Sequence, residues 1–309
     1  MKLNIFSEIP QPRHPRLDEG LGVWSETDAL AEVALCGPRF LAPVPCCSVT
    51  KERLRDGFDS DRSAAMRQHA MLRTVLEGAG VTCHLLPAAP DSPDMCFTRD
   101  VGVVTPWGVV ALKPALEHRT REVDHFATWA RSHFESPVRR IRTGRIEGGD
   151  VCIARPGLLI VGISGVRTDD DGAEEFCAPF IADGWDVLFY RFDEHFLHLD
   201  TIFCMLDQHR ALACVDVLDD EFLQSLSRRD IALLPVSYKE VRRLGCNVLS
   251  LDGRSIVSGT STPRVSGMLR RSGFEVLEVE LDELAACGGG VHCLTMPLER
   301  RRDFSSPGR

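Results

Sequence analysis

Lysine is nearly absent from this chain: Lys2, Lys51, Lys113 and Lys239 are the whole complement among 36 basic residues, and tyrosine occurs only twice. The remaining positive charge is arginine, and no arginine-rich run gathers into a patch. With a net charge of -9, the composition excludes nucleic acid or an anionic membrane as the main partner and favours a cationic ligand. Long apolar runs are missing too. The opening MKLNIFSEIPQPRHPR lacks a signal-peptide core, and no later run reaches the roughly 20 apolar residues of a membrane span. A cytoplasmic protein is the expectation. No pair among the 12 cysteines is spaced C-x-x-C, and no zinc-ligand spacing occurs. In a reducing compartment most of them read as packed thiols.

What the chain does have is a period. DVGVVTPWGVVAL begins at Asp100, DVCIARPGLLIVG at Asp150, DTIFCML at Asp200 and NVLSLDGRSIVSG at Asn247, each a polar residue followed by an apolar, β-branched run. The spacings are 50, 50 and 47 residues, and Cys293 follows 46 residues after Asn247. DALAEVALCGP, beginning at Asp28, is an earlier copy separated from Asp100 by 72 residues, room for one inserted loop. Three of these units contain a Pro or Gly turn into a second run and read as hairpins. A period of this length indicates a radial or stacked array of supersecondary units.

Helical patterns lie between the hairpins. SDRSAAMRQHAMLRTVLEGAG offers Ser60 and Asp61 as caps, repeats Ala65, His69, Leu72 and Leu76 at i+3/i+4 spacing, and stops at Gly78 and Gly80. REVDHFATWARSHF does the same with Val123, Phe126, Ala127 and Ala130. AEEFCAPFIADGWDV and TPRVSGMLRRSGFEVLEV each run from helix through Gly to strand. The unit is strand, strand, helix, strand, used about five times. Such units cannot bury a face alone, but in a ring with helices outside they share one core. Polar residues at the strand starts then meet near the axis.

Those residues are Asp100 in CFTRD, Glu147 in IEGGD, His198 and Asp200 in FLHLDTIF, and Cys293 in GGGVHC. On a strand, His198 and Asp200 share one side while Leu197 and Leu199 turn away into packing. Singly, each residue has a structural reading. His198 could be a hydrogen-bonded core histidine, Asp200 a turn cap, and Glu147 a partner of the Gly148 and Gly149 amides, while Asp100 and Asp150 could be strand-start residues. Together, a nucleophile, a base and three carboxylates make a thiol hydrolase or transferase for a cationic substrate.

The series FTRD, EGGD, HLDT and GGGVHC followed by LTMPL resembles the guanidine-modifying enzymes of the pentein superfamily: arginine deiminases, dimethylarginine dimethylaminohydrolases and amidinotransferases. The likeness extends from about Trp24 to Arg301. It implies a mixed α/β fold, a single-domain five-bladed ββαβ propeller over residues 21–301, between an unstructured N-terminal tail (1–20) and C-terminal tail (302–309). It also implies Cys293 as nucleophile, His198 as general acid and base, Glu147 orienting His198 and binding substrate, and Asp100 and Asp200 gripping the guanidinium. Arg167 in GISGVRTD and Arg119 in RTREVD resemble the family's substrate-carboxylate arginines; for each the alternative is a solvated surface arginine. Arg99 is expected to face away and pair structurally. On an extended chain His292 points away from Cys293.

The implied reaction is hydrolysis of the guanidino group of arginine or an N-substituted arginine. It proceeds through an amidino-cysteine (thiouronium) intermediate and calls for no cofactor or metal. The alternatives are an amidinotransferase and a non-catalytic arginine-binding regulator. Glu147 favours hydrolysis over transfer; FTRD resembles the deiminases, whereas the compact length resembles the dimethylarginine hydrolases. The partner expected is a small guanidino compound, with a homodimer allowed. FLAPVPCCSVT, in the first gap, is a candidate lid, and Cys46 and Cys47 within it carry no assigned role.

Overall fold

Among the described residues, the strands pair into five three-stranded sheets. The structure is a computed structural model, and it describes residues 22–45, 47–134 and 138–302. Apart from Arg302, the expected tails lie outside the described residues, as does Cys46.

The first blade contains β1 (Ala29–Cys36) and β2 (Thr82–Leu86), parallel to each other. Between them lie α1 (Ser48–Arg55) and α2 (Arg62–Gly78). The second blade is β3 (Gly102–Thr105), β4 (Gly108–Ala111), α3 (Thr120–His133) and β5 (Arg139–Arg140). The third is β6 (Val151–Arg155), β7 (Leu158–Ile163), α4 (Asp170–Ala182) and β8 (Asp186–Arg191). The fourth is β9 (Phe203–Met205), β10 (Arg210–Ala213), α5 (Asp220–Arg228) and β11 (Ala232–Pro235), with the short α6 (Tyr238–Val241) following. The fifth is β12 (Leu249–Ser250), β13 (Ser255–Gly259), α7 (Pro263–Arg271) and β14 (Glu275–Val279). After α8 (Asp282–Ala286), β15 (Met296–Arg301) returns to pair antiparallel with β1.

Each blade is therefore an antiparallel pair, a hairpin in blades two to five, extended by one parallel strand through a helical crossover. The ring closes because the last strand of the chain is the first strand of blade one. This corrects the reading of DALAEVALCGP: Asp28 precedes the second strand of its blade, and the residue that precedes the first strand is Cys293. Neighbouring blades are stitched by polar bonds, among them Leu30 N to Leu251 O at 2.6 Å and Ser250 Oγ to Leu206 O at 2.7 Å.

The helices follow the apolar periodicity. Asp61 caps α2, its Oδ1 accepting from the amides of Ser63 and Ala64, and Ala65, His69, Leu72 and Leu76 form its buried face. In α3, Val123, Phe126, Ala127 and Ala130 are buried as the spacing requires. Strands and inner helix faces together bury three apolar clusters, whose close packing holds the strand starts. No helix among the described residues is long and apolar enough to cross a membrane.

Candidate active site

Three of the five strand starts are tight single turns: Thr98–Val101, Gly148–Asp150 and Leu199–Thr201. Each presents an acid at the inner end of its blade, in sequence Asp100, Asp150 and Asp200. The HLDT segment thus forms a turn where a strand was expected, and the strand begins only at Phe203. The alternation argued for it fails with the strand. His198 and Asp200 diverge, and Leu197 lines the cavity while Leu199 packs in the core.

The cavity is a pit of about 340 Å³, part of it open to solvent, lined by Asp100, Arg119, Arg167, His198 and Cys293, with Phe97 and Gly289. Glu147 and Asp200 do not line it; they stand behind His198 and Cys293. His198 Nε2 lies 2.6 Å from Glu147 Oε2, and His198 Nδ1 lies 3.6 Å from Asp100 Oδ1. Glu147 also takes the Ala115 amide at 2.9 Å and Arg167 Nη1 at 3.3 Å, so the Gly148 and Gly149 amides are not its partners. A Cβ on Gly149 would come within 2.6 Å of the His198 ring. Only glycine lets that turn lie flat against the imidazole.

Cys293 Sγ donates to Asp200 Oδ2 at 3.4 Å and accepts from Asn247 Nδ2 at 3.1 Å. The cysteine sits in a turn, with Leu294 N bonded to Gly290 O at 3.1 Å, and not on extended chain. His292 is correspondingly not turned away. Its Nδ1 lies 2.8 Å from Asp200 Oδ2 and its Nε2 3.3 Å from Glu26 Oε2. Arg99 pairs with Glu26 at 3.2 Å, away from the pit, as expected. The glycines of GGGVHC make room for neighbours: a Cβ on Gly289 would meet Phe97 at 2.4 Å, and one on Gly290 would meet Asn247 Oδ1 at 2.7 Å.

Both arginines are buried, which overturns the surface reading. Arg119 is fully engaged. Its Nη1 donates to Asp100 Oδ2 at 2.6 Å, its Nε to Glu122 Oε2 at 2.7 Å, and its Nη2 to the carbonyls of Asp94 and Phe97. Arg167 is 6% exposed and faces the pit while holding Glu147. Asp150 keeps a structural role: Thr168 Oγ1 donates to it at 2.6 Å and the Leu199 amide at 2.8 Å, tying blade three to blade four.

The electrostatics follow from this packing. Burial opposes protonation of His198, but Asp100, the Glu147 hydrogen bond and Asp150 raise the imidazole to about 10. Burial would raise Glu147, yet His198, Arg167 and Arg119 hold it well below the usual carboxylate range. Burial, then the charges of Asp200 and Asp100, push the Cys293 thiol well above its usual value; the Gly290 backbone and Asn247 pull the other way. Burial opposes ionisation of Asp200 too, but His292 lowers it. At the pit, Asp100 Oδ1 and His198 Nδ1 face each other at 3.6 Å without a hydrogen-bond partner, and Asp200 Oδ1 behind it also lacks one. The two pit atoms are available to a ligand's polar groups.

Asp100, Glu147 and His198 have ligand atoms close enough to hold a metal ion. The guanidinium groups of Arg119 and Arg167 on the same two carboxylates oppose a dication there. The candidate lid contributes Cys47 and Ser48, which, with Lys51, Arg167 and Leu197, line an outer basin of about 900 Å³ that adjoins the pit. Ser48 Oγ reaches His195 O across it at 3.4 Å.

Asn247, in the sequence only a strand start, and His292, expected there to point away, complete the surroundings of Cys293 and Asp200. The 46-residue step from Asn247 to Cys293 was the signal for the first.

A family model described as N,N dimethylarginine dimethylhydrolase, eukaryotic, matches residues 49–300. An uncharacterized Bacillus subtilis protein, YkgA, is 30% identical over 94% of this chain and 98% of its own. The N(G),N(G)-dimethylarginine dimethylaminohydrolase of Pseudomonas aeruginosa is 24% identical over 76% of this chain and 89% of its own. Among solved structures, the product-bound N-terminal domain of ArgZ, a cyanobacterial arginine dihydrolase, superposes with a TM-score of 0.77 at 23% identity, covering 87% of this chain and 97% of that one.

Proposed function

We propose the following chemistry from the premise that this chain belongs to the N,N dimethylarginine dimethylhydrolase family, within the pentein guanidine-modifying superfamily. The protein hydrolyses the guanidino group of arginine or an N-substituted arginine to citrulline. The observation that carries the site assignment is the convergence of Cys293, His198 and Asp100 on one pit, with Glu147 bound to His198 at 2.6 Å.

A guanidinium is planar and resonance-stabilised, so its carbon resists attack. Asp100 lines the pit and keeps one buried, unpartnered oxygen, and charge-assisted bonds from the substrate N–H groups satisfy it while fixing the plane. Asp200, which stands behind Cys293, we assign to holding the thiol. The Arg119 guanidinium is committed to Asp100, so we assign it to positioning that carboxylate. Arg167 takes the carboxylate at the amino-acid end.

In the free protein the thiol is protonated, because burial and two carboxylates hold its pKa up. The arriving cation offsets those charges and favours the thiolate, the thiol proton passing to solvent because His198 already carries one. Sγ attacks the guanidinium carbon, and the C–N bond breaks as the protonated His198 gives its proton to the departing amine. A thiouronium remains, with the amino-acid chain still attached. Water then loses one proton to His198 as it adds to the same carbon, and the C–S bond breaks as the second proton passes to the departing sulfur, which restores the Cys293 thiol and frees citrulline.

The test is mass spectrometry of protein quenched during turnover with arginine and with N-methylated arginines. Hydrolysis requires, on the Cys293 peptide, an increment equal to the substrate less its departing amine. An increment of a bare amidino group, with one ornithine released per Cys293 and further ornithine only when an acceptor amine is present, would assign the chain to transfer instead. No adduct on Cys293 would remove the nucleophile assignment.

A further inference from the structure

Asn247 is the strand-start residue of blade five, the position filled by Asp100, Asp150 and Asp200 in blades two to four and by Cys293 in blade one. It is 1% exposed. Its side chain makes an unusual set of bonds for an amide. Oδ1 accepts from the backbone amides of His292 at 3.0 Å and Cys293 at 3.3 Å, while Nδ2 donates to Cys293 Sγ at 3.1 Å. The same Nδ2 reaches Asp200 O at 3.4 Å. One side chain therefore straps the nucleophile's turn and touches the sulfur itself. Gly290 makes the approach feasible, since any Cβ there would lie 2.7 Å from Asn247 Oδ1.

We propose that Asn247 is a catalytic residue of the hydrolase, donating from its amide to the Cys293 thiolate as that ion forms and attacks. The proposal rests on the assignment of Cys293 as nucleophile. Its logic is differential. In the thiol state the sulfur is held from two sides, its proton directed at Asp200 Oδ2 and its lone pair receiving Asn247 Nδ2. On ionisation the contact with Asp200 turns from attractive to repulsive. The amide bond becomes charge-assisted and strengthens. An interaction that is stronger in the reacting state than in the resting state lowers the barrier, whereas equal binding of both does not.

The residue type follows from the same argument. Asp200 and Asp100 already raise the cost of a thiolate, so an acid at this fifth position would add a third repulsion. An amide keeps the acceptor that the two backbone N–H groups need and adds a donor for sulfur. Asparagine meets both demands at this reach.

The experiment measures the alkylation rate of Cys293 by iodoacetamide against pH, read on its own peptide by mass spectrometry, in the unsubstituted protein, Asn247→Asp and Asn247→Ala. Asn247→Asp preserves the Oδ1 acceptor and deletes the donor. Both variants should shift the alkylation profile to higher pH, with a rate at fixed pH lower by about tenfold, the equivalent of one pKa unit. They should lower kcat for arginine by roughly 10–100-fold with little change in KM. Folded variants with an unshifted profile and unchanged kcat would overturn the proposal. If neither variant folds, the Asn247 side-chain amide protons of the unsubstituted protein are followed by NMR. They should titrate with the midpoint of Cys293 alkylation, and indifference to that midpoint would also overturn it. A shifted profile in a protein that turns over no guanidine would instead reject the hydrolase reading and leave the Asn247–sulfur bond standing.

Discussion

Nε2 of His198 lies 2.6 Å from Oε2 of Glu147, and both side chains are sealed from solvent. The pair arrives from two blades, 51 residues apart, and it is the strongest reason to treat His198 as a proton carrier and not as a packed core histidine. A general acid must still hold its proton when the amine departs, and His198 does so because carboxylates raise it to about 10. Glu147→Gln keeps the shape and removes one of those charges. The imidazole pKa should fall, so the alkaline limb of the kcat profile should move to lower pH. The loss in kcat should be on the order of 100-fold. A stopped or continuous citrulline assay across pH measures both, and an unmoved limb would detach Glu147 from the chemistry.

The proposed grip of Asp100 on the guanidinium gives a prediction in two opposite directions. Asp100→Asn weakens the grip on the guanidinium, and loss of a charged hydrogen bond of about 1.5–3 kcal/mol raises KM roughly 10–100-fold. The same substitution removes a negative charge that raises the Cys293 thiol. Alkylation of Cys293 in the free protein should therefore become faster while turnover of arginine becomes slower. Parallel slowing of both would mean that the site had collapsed.

Most of the ring was readable from the chain because its blades repeat: the 50, 50, 47 and 46 residue steps mark the strand starts from Asp100 to Cys293. What the period could not give is the geometry inside each start. HLDT carries the apolar alternation of a strand, yet Asp150 Oδ1 captures the Leu199 amide at 2.8 Å and turns the chain before the ladder begins. That contact spans 49 residues, so no local pattern encodes it. The closure of the ring was hidden for a similar reason, since the partner of β1 is the far end of the chain. Arg119 looked like a surface residue until α3, Asp100 and two carbonyls closed around it.

Asp150 predicts a pH dependence of folding. Burial raises its carboxyl from 3.8 to about 7, against the pull of His198 and Thr168. Between those values the folded protein holds a proton that the unfolded chain has lost. Stability should therefore be highest below about pH 4 as far as this group is concerned, and fall by up to about 1.4 kcal/mol per pH unit as pH rises to about 7. His198, raised to about 10 from 6.5, acts in the same sense over a later window, its contribution being lost as pH rises toward 10. Asp150→Asn should flatten the earlier window and, because the Asp150 charge helps to raise His198, draw the end of the later one to lower pH. Denaturant melts across pH distinguish the two, and a slope unchanged by Asp150→Asn would show that Asp150 is ionised in the fold.

The two pit arginines separate by what they touch. Arg119 donates to Asp100, Glu122 and the carbonyls of Asp94 and Phe97, so its effect on substrate passes through the guanidinium grip. Arg167 stands at the junction of the pit and the outer basin, where the amino-acid end of arginine would lie. Arg119→Gln should therefore damage turnover of every guanidine to the same degree, whether or not the molecule carries a carboxylate. Arg167→Gln should raise KM for arginine by roughly 10–100-fold, the loss of one charged hydrogen bond, and should affect agmatine, which has no carboxylate, far less. Arg167 also bonds Glu147, so some loss of kcat common to both substrates is expected, and the ratio of the two kcat/KM values isolates the carboxylate contact. If that ratio is the same in Arg167→Gln as in the unsubstituted protein, Arg167 belongs with Arg119 as a support for the acids, and the carboxylate must be held elsewhere on the basin wall, where Lys51 is the next cation.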